Sequence, residues 1–338
     1  MKSSFELDID DQAAALSALD AAAIPDGLEV IVQGTYDRII LTGMGSSHYA
    51  ALPSWRRLVD ADKAAWCVDA GQLLDNPRLL TTDSLLIATS QSGASGEVAA
   101  LLDSFGEKPR PAAVVGVTND PVSRLGAAAD YTYPIHSGSE ATVSTKSYLN
   151  TLAALDDLTS RILGVPHDDV AATAQMIANL VVPDAIDALA QTYVTAPDPR
   201  LAFIGYQDHA ATALYAGLIT KEAAKVAAEG YVGGEFRHGP LELAGPGLMA
   251  VFFGGTDAGD NPSLRRLAAD LAESGAAVLV VGPAGVPGTI EVAAPNIHAT
   301  GQLSHSAVLA QHLAVAIAKA RGITPGDFAF GNKVTTAL

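Results

Sequence analysis

The segment from Thr220 to Leu243, TKEAAKVAAEGYVGGEFRHGPLEL, carries the side chains best suited to proton transfer. A predicted helix places Glu222 on the same face as three apolar residues, at steps of four: Leu214, Leu218 and Val226. Partial burial raises the pKa of a carboxyl group, and a carboxyl group that titrates near neutral pH can shuttle protons. A helix with one satisfied carboxylate fits the same residues, so this segment alone leaves both interpretations open.

The chain is expected to leave this helix through three glycines, Gly230, Gly233 and Gly234. The loop then presents three polar side chains just before Gly239-Pro240: Glu235, Arg237 and His238. Histidine changes its protonation state near neutral pH without any perturbation, which makes His238 a second candidate for acid–base chemistry. A surface loop without a chemical role is the alternative.

Two further segments have the form of a strand, a hydroxyl-rich turn and the start of a helix. The first turn is Gly43-Met44-Gly45-Ser46-Ser47, and the second is Ser90-Gln91-Ser92-Gly93-Ala94-Ser95. Free backbone N–H groups and the positive end of the helix dipole meet at such a turn, and serine hydroxyls add donors, which suits an anion. Neither turn is a P-loop or a dinucleotide fingerprint. Serines at helix starts are commonly caps, but two such turns beside the acid–base segment indicate a phosphomonoester.

Composition limits the possible partners and compartments. The 338 residues suffice for two ordinary domains, and 49% apolar with 17% charged residues is typical of a compact α/β protein. A net charge of −17 argues against nucleic acid or an anionic membrane as a partner. Cys67 is the single cysteine, so we expect no disulfide, no cysteine-based metal cluster and a cytoplasmic location. The acidic start, MKSSFELDIDDQ, does not read as a signal peptide, and no apolar run is long enough to predict a transmembrane helix.

Short apolar strands alternate with helices along the chain, which predicts parallel sheets covered by helices. In the first half the predicted strands are Arg38–Thr42, Ala64–Val68, Ser84–Thr89, Ala112–Thr118 and Tyr131–Ile135. After helical stretches at 145–162 and 168–190, the pattern restarts with Leu201–Tyr206, Leu248–Phe253, Ala277–Val281 and Ile297–Thr300. Gly43–Leu52 is also matched in form by Gly205–Leu214. We therefore predict two tandem doubly wound α/β domains, at 1–165 and 190–338, with ligands at the carboxyl ends of the strands.

Together these motifs resemble the sugar isomerase (SIS) family, and within it the isomerase half of the glutamine–fructose-6-phosphate amidotransferases. The resemblance is carried by SQSG at 90–93, STKSY at 144–148, the run from Lys221 to Leu243, and Lys333 near the end of the sequence. It implies SIS-type domains and six residues at the sugar-phosphate-binding positions: Ser46, Ser47, Ser90, Gln91, Ser92 and Ser95. It also implies two binding residues that contact the sugar chain, Thr142 and Ser144. It also implies three catalytic residues, Glu222, His238 and Lys333. In the family the histidine reaches the neighbouring subunit's site, which implies a homodimer.

Each implied catalytic role has a chemical reason of its own. One half-buried glutamate can face both carbons when a proton moves between C1 and C2 of a sugar, and a histidine that titrates near neutrality can open the ring. A lysine amine can form a Schiff base with a ketose carbonyl or stabilise an oxyanion. The other histidines show no metal-ligand spacing with further ligands nearby, so we expect neither a metal nor another cofactor.

Departures from the family pattern guide the expected reaction. The amidotransferases begin with a glutaminase domain and its terminal cysteine, for which this sequence has no room, so we expect no glutamine-dependent synthase activity from it alone. Ala94 and Ile219 also replace a glutamate and a second active-site lysine of the synthase pattern. The preferred prediction is a deaminase that converts glucosamine 6-phosphate and water into fructose 6-phosphate and ammonia. The alternatives are a fructosamine-6-phosphate deglycase, a simple isomerase, and a non-catalytic sugar-phosphate sensor.

Overall fold

The structure is a computed structural model that describes residues 1–24, 26–106 and 110–336. Its ten β-strands are β1 Arg38–Gly43, β2 Ala65–Cys67, β3 Ser84–Thr89, β4 Ala113–Thr118, β5 Tyr131–Pro134, β6 Arg200–Gly205, β7 Ala228–Val232, β8 Leu248–Phe253, β9 Ala277–Val281 and β10 Ile290–Val292. Its α-helices are α1 Ser4–Asp10, α2 Gln12–Asp20, α3 Leu28–Val32, α4 Ser46–Asp60, α5 Ala70–Asp75, α6 Gly96–Asp103, α7 Arg124–Ala128, α8 Lys146–Leu163, α9 Val170–Ala178, α10 Asp184–Thr195, α11 His209–Ala224, α12 Pro262–Glu273 and α13 Ala299–Ala320.

The fold consists of two compact units, each built around one sheet. The first unit comprises Ala14–Glu140, Lys146–Ala171 and the tail that starts at Phe330. The second unit comprises Met1–Ala13, Ala141–Thr145 and Ala172–Ala329. The sequence-based limits of 1–165 and 190–338 therefore differ from these units at both chain ends and at residues 141–145. These are segments without a strand of their own, so strand patterns in the sequence do not reveal which unit they join.

The first unit contains a parallel sheet with the strand order β2-β1-β3-β4-β5. One face of the sheet packs its buried side chains, including Ile40, Leu86 and Val114, against α5, α6 and α7. The opposite face packs against α4 and α8, which also pack against each other. Strands β3 and β4 are buried along their whole length because both faces are covered, and this explains why small and apolar residues fill their interiors.

The second unit contains a parallel sheet with the order β10-β9-β8-β6-β7. Helix α12 covers one face through Leu264, Leu267 and Leu271, and α10 and α11 pack against strands of the same sheet. When the strands of each unit are numbered along the chain, both sheets have the order 2-1-3-4-5. The predicted fold class, two tandem doubly wound parallel-sheet domains covered by helices, is confirmed.

The structure differs from the predicted elements in four places. Strands β7 and β10 were not predicted, because both are edge strands whose partly exposed residues lack a long apolar run. The predicted strand Ile297–Thr300 is wrong: the His298 side chain accepts a hydrogen bond from the Gly301 amide (3.2 Å) and caps α13, which begins at Ala299. The helical stretch at 168–190 is two helices, α9 and α10, and Pro183 precedes the second.

In the part of the chain that the structure describes, none of the helices combines the length and apolar character that a membrane span requires.

Candidate functional site

The first serine turn lies at the carboxyl end of β1. Gly43 ends the strand where a side chain would not fit, since a Cβ there would lie 2.9 Å from the Thr89 carbonyl oxygen at the end of β3. Gly45 has the left-handed backbone (φ 52°) that turns the chain into α4, and Ser46 and Ser47 form the first turn of that helix. Both serines are partly exposed, so their hydroxyls and amides are accessible to a ligand.

The second serine turn lies at the carboxyl end of β3 and is fixed by its own hydrogen bonds. The Gln91 carbonyl accepts from the Asn119 amide (3.0 Å) and from the Thr118 hydroxyl (3.2 Å). Gly93 has a positive φ of 62°, and a Cβ there would lie 1.8 Å from the Ser123 hydroxyl, so the turn requires glycine at this position.

The serine side chains of this turn do not act as helix caps. The hydroxyls of Ser90 and Ser95 pair with each other (2.9 Å), and the Ser92 hydroxyl accepts from the Ala94 amide (3.2 Å). The N-cap residue of α4 is Gly45, which has no side chain, and the hydroxyl of Ser95, the N-cap residue of α6, makes no capping hydrogen bond. The capping interpretation therefore does not account for these serines. In the first turns of α4 and α6, the Ser47 and Gly96 amides already donate to the Met44 and Thr335 carbonyls, so an anion can bind only to the other amides there.

The two turns lie side by side because β1 and β3 are neighbours in the sheet, with Gly43 paired to Thr89. In the order 2-1-3-4-5, the gap between the first and third strands is the point where the connections run in opposite directions. Open α/β sheets bind their ligands in the crevice at this switch point. The structure thus brings Ser46, Ser47 and the second turn to the place where this fold class binds ligands.

The tail of the chain carries Lys333 to the same unit. Two residues after Lys333, the Thr335 carbonyl accepts a hydrogen bond from the Gly96 amide (3.0 Å), directly after Ser95 at the start of α6. The lysine side chain is 18% exposed and donates to Glu140 Oε2 at 2.5 Å. The Thr335 hydrogen bond thus ties the tail to the end of the second serine turn, and the ion pair with Glu140 fixes the Lys333 side chain.

Glu140 is a residue of this site that the sequence analysis missed. Its carboxylate is fully buried and also accepts from the Ser147 hydroxyl (2.6 Å) and the Ser147 amide (3.1 Å) at the start of α8. The signal for it was a single acidic residue in a stretch otherwise rich in serine, threonine and glycine, just before the STKSY segment. A buried carboxylate needs such partners, and here a lysine ammonium is one of them.

The second unit carries Glu222, in the last turn of α11. The helix ends at Ala224, so Val226 does not share its face as predicted. Leu214, Leu218 and Glu222 are all partly exposed, whereas most of the rest of α11 is buried. The Glu222 side chain is therefore half-buried, as expected, but it lies on the least buried face of the helix rather than in an apolar stripe.

The end of α11 is fixed by a second residue that the sequence analysis missed. Arg321, which follows α13, donates to the carbonyls of Ala224 (2.5 Å) and Lys225 (2.6 Å). The last carbonyls of a helix have no partners within the helix, so the guanidinium both satisfies them and complements the helix dipole. This contact holds the helical turn that carries Glu222.

His238 is exposed, as predicted for a residue on a projecting segment. It caps a short 3₁₀-helix, Gly233–Arg237, and its amide donates to the Glu235 carbonyl (2.9 Å). The exit from the helix differs from the prediction, because Gly230 lies within β7. A Cβ at Gly230 would lie 2.4 Å from the Ala213 carbonyl, so glycine allows the strand to approach α11.

Thr142 and Ser144 also belong to the second unit, unlike the serine turns. The Ser144 carbonyl accepts from the Tyr215 hydroxyl (2.6 Å), which anchors this segment to α11. The Thr142 hydroxyl oxygen is buried and has no hydrogen-bond partner among the described residues. Six of the eight predicted binding residues and Lys333 are thus in the first unit, and two binding residues, Glu222 and His238 are in the second.

Two observations bear on cofactors and on thiol chemistry. Among the described residues, no group of three or more His, Cys, Asp or Glu side chains is placed to hold a metal ion. Cys67 lies 3.7 Å from His48 Nδ1, but burial raises the pKa of its thiol to about 12. The thiol is therefore protonated at neutral pH and is not a nucleophile.

Comparisons with known proteins show which family and which proteins this chain is similar to. Residues 35–161 match the SIS domain family. The chain is 33% identical over 225 residues to glutamine–fructose-6-phosphate aminotransferase (isomerizing) of Pyrococcus horikoshii. That alignment covers 64% of this chain but only 37% of the relative, so the chain spans little more than a third of the relative's length.

Solved structures agree with the fold. The C-terminal domain of glucosamine-fructose-6-phosphate aminotransferase from Francisella tularensis has a TM-score of 0.81 at 18% identity, covering 95% of this chain and 97% of that domain. Glucosamine-6-phosphate deaminase from Thermotoga maritima has a TM-score of 0.75 at 22% identity, covering 98% and 99%. The resemblance to the SIS family, and to the isomerase half of the aminotransferases, is confirmed.

Proposed function

We propose that the chain is a phosphosugar aldose–ketose enzyme and that its substrate is an aminated sugar 6-phosphate. The observation that supports this most strongly is the first unit's switch point, where two uncapped serine turns lie side by side and the tail holds Lys333 next to them. An anion-binding crevice beside an amine is the arrangement that a phosphorylated carbonyl substrate requires. The related isomerase sequence from Pyrococcus horikoshii supports the same class of reaction.

Local donors, rather than the field of the whole protein, bind the phosphate in this proposal. At a net charge of −17 the protein repels a phosphate dianion at long range. Ser46, Ser47 and Ser92 supply hydroxyls, and the first turns of α4 and α6 supply amides and the positive ends of two helix dipoles. Gln91, Ser90 and Ser95 complete the second turn.

Glu222 and His238 perform the proton transfers. His238 opens the cyclic sugar by moving a proton between the ring oxygen and the C1 hydroxyl. Glu222 then takes the proton from C2 of the open aldehyde, which gives an enolamine, and returns it to C1. The product is an imine at C2, and its conversion to the ketone consumes one water and releases one ammonia, so that atoms and protons balance.

Lys333 acts at C2 in this scheme. Its amine exchanges with the substrate nitrogen at C2, which releases ammonia and leaves a Schiff base that water hydrolyses. Glu140 holds the amine and can accept its proton. Thr142 and Ser144 contact the sugar chain.

The deamination direction fits the residues in hand. Burial raises the pKa of the Cys67 thiol to about 12, so this residue does not release ammonia from glutamine. In this proposal water is the co-reactant, and glucosamine 6-phosphate gives fructose 6-phosphate and ammonia. A deglycase acting on fructosamine 6-phosphates uses the same steps with a larger leaving amine. Two further alternatives to the deaminase are a simple isomerase and a non-catalytic sugar-phosphate sensor.

Turnover of a small substrate panel tests the proposal. We expect glucosamine 6-phosphate to yield ammonia and fructose 6-phosphate in equal amounts, because one imine is hydrolysed per sugar. Glu222→Gln removes the base while keeping its shape, and should lower turnover by roughly 10² to 10⁴. Exposed Glu273 lies in the same unit, and Glu273→Gln serves as the matched control.

Other outcomes of the panel decide between the alternatives. A fructosamine 6-phosphate that releases its amine faster than glucosamine 6-phosphate releases ammonia assigns the deglycase reaction. Interconversion of unaminated sugar phosphates alone assigns simple isomerisation. Binding of every sugar phosphate without turnover assigns a sensor, and full turnover by Glu222→Gln removes Glu222 from the mechanism.

We also propose that the active form is a homodimer in which His238 serves the neighbouring subunit's site. An exposed histidine on a short segment can open a sugar ring only where its position is fixed, and a second subunit can fix it. Inactive Glu222→Gln and His238→Ala protomers, mixed and exchanged at random, form mixed dimers in half of all cases. Each mixed dimer then has one intact site, so activity should recover to about a quarter of that of the unmodified protein.

The same mixture can also contradict the shared site. If both residues serve one chain's site, every site in every dimer lacks one group. Absence of recovery after subunit exchange has been verified by mass spectrometry would place His238 in its own subunit's site.

A further inference from the structure

The second unit has a crevice at its own switch point, between the carboxyl ends of β6 and β8. The cavity there has a volume of about 490 Å³. Its lining includes the residues that follow β6, Tyr206, Gln207 and His209, and residues that follow β8, Asp257, Asp260 and Asn261. None of these residues has a role in the proposed phosphosugar reaction.

This crevice is the duplicate of the serine crevice in the first unit. Strands β6 and β8 are the first and third strands of their sheet, as β1 and β3 are of theirs. Gln207 and Gly45 both have a positive φ, 53° and 52°, but Gly45 is the N-cap of α4, whereas Gln207 lies one residue before Asp208, the N-cap of α11. The position of a switch-point site is therefore kept, but His209 stands where the first unit has a serine.

The crevice has polar atoms that lack partners. The Tyr206 hydroxyl and His209 Nδ1 are inaccessible to solvent and have no hydrogen-bond partner among the described residues. Burial lowers the pKa of His209 to about 4, so its ring is neutral at pH 7. Unpaired buried polar atoms are costly, and the hydroxyls of a bound sugar can both donate to and accept from such groups.

The charge of the lining differs from that of the serine crevice. Asp257 and Asp260 are exposed carboxylates at the rim, and no cation is found among the described residues that line the cavity. The N-termini of α11 and α12 each contribute about half a positive charge, which does not offset two carboxylates. The crevice therefore attracts a cation and repels a phosphate.

We infer that this crevice is a second ligand site, which binds an unphosphorylated sugar that carries a cationic amine. The carboxylates of Asp257 and Asp260 bind the ammonium group. The amides of Gln207 and Asn261 bind the hydroxyls, and a shift of the Tyr206 and His209 side chains on binding brings their unpaired atoms to the same hydroxyls. The site is independent of the proposed reaction and differs from the serine crevice in excluding phosphate.

Calorimetric titration with glucosamine, at a pH below the pKa of its amine, tests the inference. The titration uses the full chain with Ser92→Ala, so that binding at the serine turn is weakened. We expect glucosamine to bind and glucose to bind at least tenfold more weakly, because glucose lacks the charge. Asp257→Asn and Asp260→Asn should each weaken glucosamine binding about tenfold.

Matched controls separate the crevice from the general charge of the protein. Asp198 is an exposed aspartate of the same unit outside the crevice, and Asp198→Asn should leave glucosamine binding unchanged. Restoring Ser92 should also leave it unchanged. The inference is overturned if glucosamine does not bind or if glucose binds equally well. It is also overturned if Asp198→Asn abolishes glucosamine binding, or if neither Asp257→Asn nor Asp260→Asn weakens it.

Discussion

Glu140 shows how a single residue can connect the tail to the site. Its buried carboxylate accepts hydrogen bonds from Lys333 and from both donors of Ser147. A buried carboxylate without partners would be strongly destabilising, so the tail residue Lys333 satisfies a charge that the first unit has already buried. The same contact fixes the amine that the proposed reaction needs at C2 of the sugar.

Glu140→Gln should therefore impair the reaction through Lys333. The amide keeps the shape of the side chain but loses the charge that orients the ammonium, and displacement of a catalytic group by about 1 Å lowers turnover by up to about a hundredfold. We expect a lower kcat and a smaller yield of the borohydride-trapped sugar adduct on Lys333, measured by peptide mass spectrometry.

The control for this prediction is Glu29→Gln, at an exposed glutamate of the same unit whose side chain is 66% exposed. A merely structural role for Glu140 would lower the amount of folded protein without changing the adduct yield per folded molecule. An unchanged yield at unchanged kcat would contradict the positioning role.

At the scale of elements, the last turn of α11 depends on a residue about a hundred positions away. Arg321 binds two carbonyls at this helix end, and the Gly326 amide donates to a third, that of Ala223 (3.2 Å). Both contacts come from the segment that follows α13. The turn that carries Glu222 is thus held by tertiary contacts rather than by helix propensity.

Arg321→Ala should loosen this turn. The loss of two hydrogen bonds from a charged donor at a partly exposed site should lower the free energy of unfolding by about 1–2 kcal/mol. Turnover should fall as well, because Glu222 becomes less well positioned. Urea denaturation and steady-state kinetics measure the two effects.

Arg265→Ala removes an exposed arginine from α12 of the same unit and is the matched control. Arg321→Lys keeps the charge but cannot bind both carbonyls as a rigid fork. Its effects on stability and turnover should therefore lie between those of Arg321→Ala and Arg265→Ala. If Arg321→Ala lowers stability and turnover no more than Arg265→Ala does, the contact of Arg321 with the end of α11 does not position Glu222.

The sequence predicted those elements whose burial gives a strong pattern. Ser84–Thr89, Leu248–Phe253 and Ala277–Val281 were predicted with the bounds that the structure has, because each is covered on both faces. The edge strands β7 and β10 were missed because their exposed residues remove that pattern. The start of α13 was misread because His298 acts as an N-cap, a role usually filled by shorter polar residues.

The candidate site was predictable where it depends on local motifs. The serine turns follow strands in the sequence, and parallel strands put their carboxyl ends at one edge, so their meeting could be inferred. Glu140 and Arg321 could not, since each acts through a contact with a residue about 100 or more positions away. Their importance depends on which buried groups need partners, and that is known only once the fold is known.

On the scale of the whole molecule, the two units share a strand order but not a chemistry. The first unit's switch point has serine hydroxyls and uncapped helix starts, whereas the second unit's has two carboxylates and a neutral histidine. A duplicated fold supplies two crevices, and their residues determine what each can bind. The shared strand order, with a residue of positive φ just before α4 and just before α11, reflects the common architecture.

Buried histidines make the stability of the whole molecule depend on pH. His305 lies inside α13, its Nδ1 is inaccessible to solvent without a partner among the described residues, and burial lowers its pKa from 6.5 to about 4. His209 has the same shift for the same main reason. The unfolded chain therefore binds more protons than the folded one between these pH values, and stability is lost as the pH falls from about 6.5 to 4.

His305→Gln should reduce this loss, because glutamine does not titrate. A shift of this size corresponds to at most about 3 kcal/mol at the acid end of the range, and the difference in free energy of unfolding between pH 6.5 and 4 should shrink by about 1–3 kcal/mol. Urea denaturation across this pH range measures it, with His238→Gln, at an exposed histidine, as the control. His305→Gln also lowers stability at neutral pH if the amide packs less well, but that change is the same at every pH. If His305→Gln and His238→Gln both leave the pH dependence of the free energy of unfolding unchanged, His305 is not a source of the acid sensitivity.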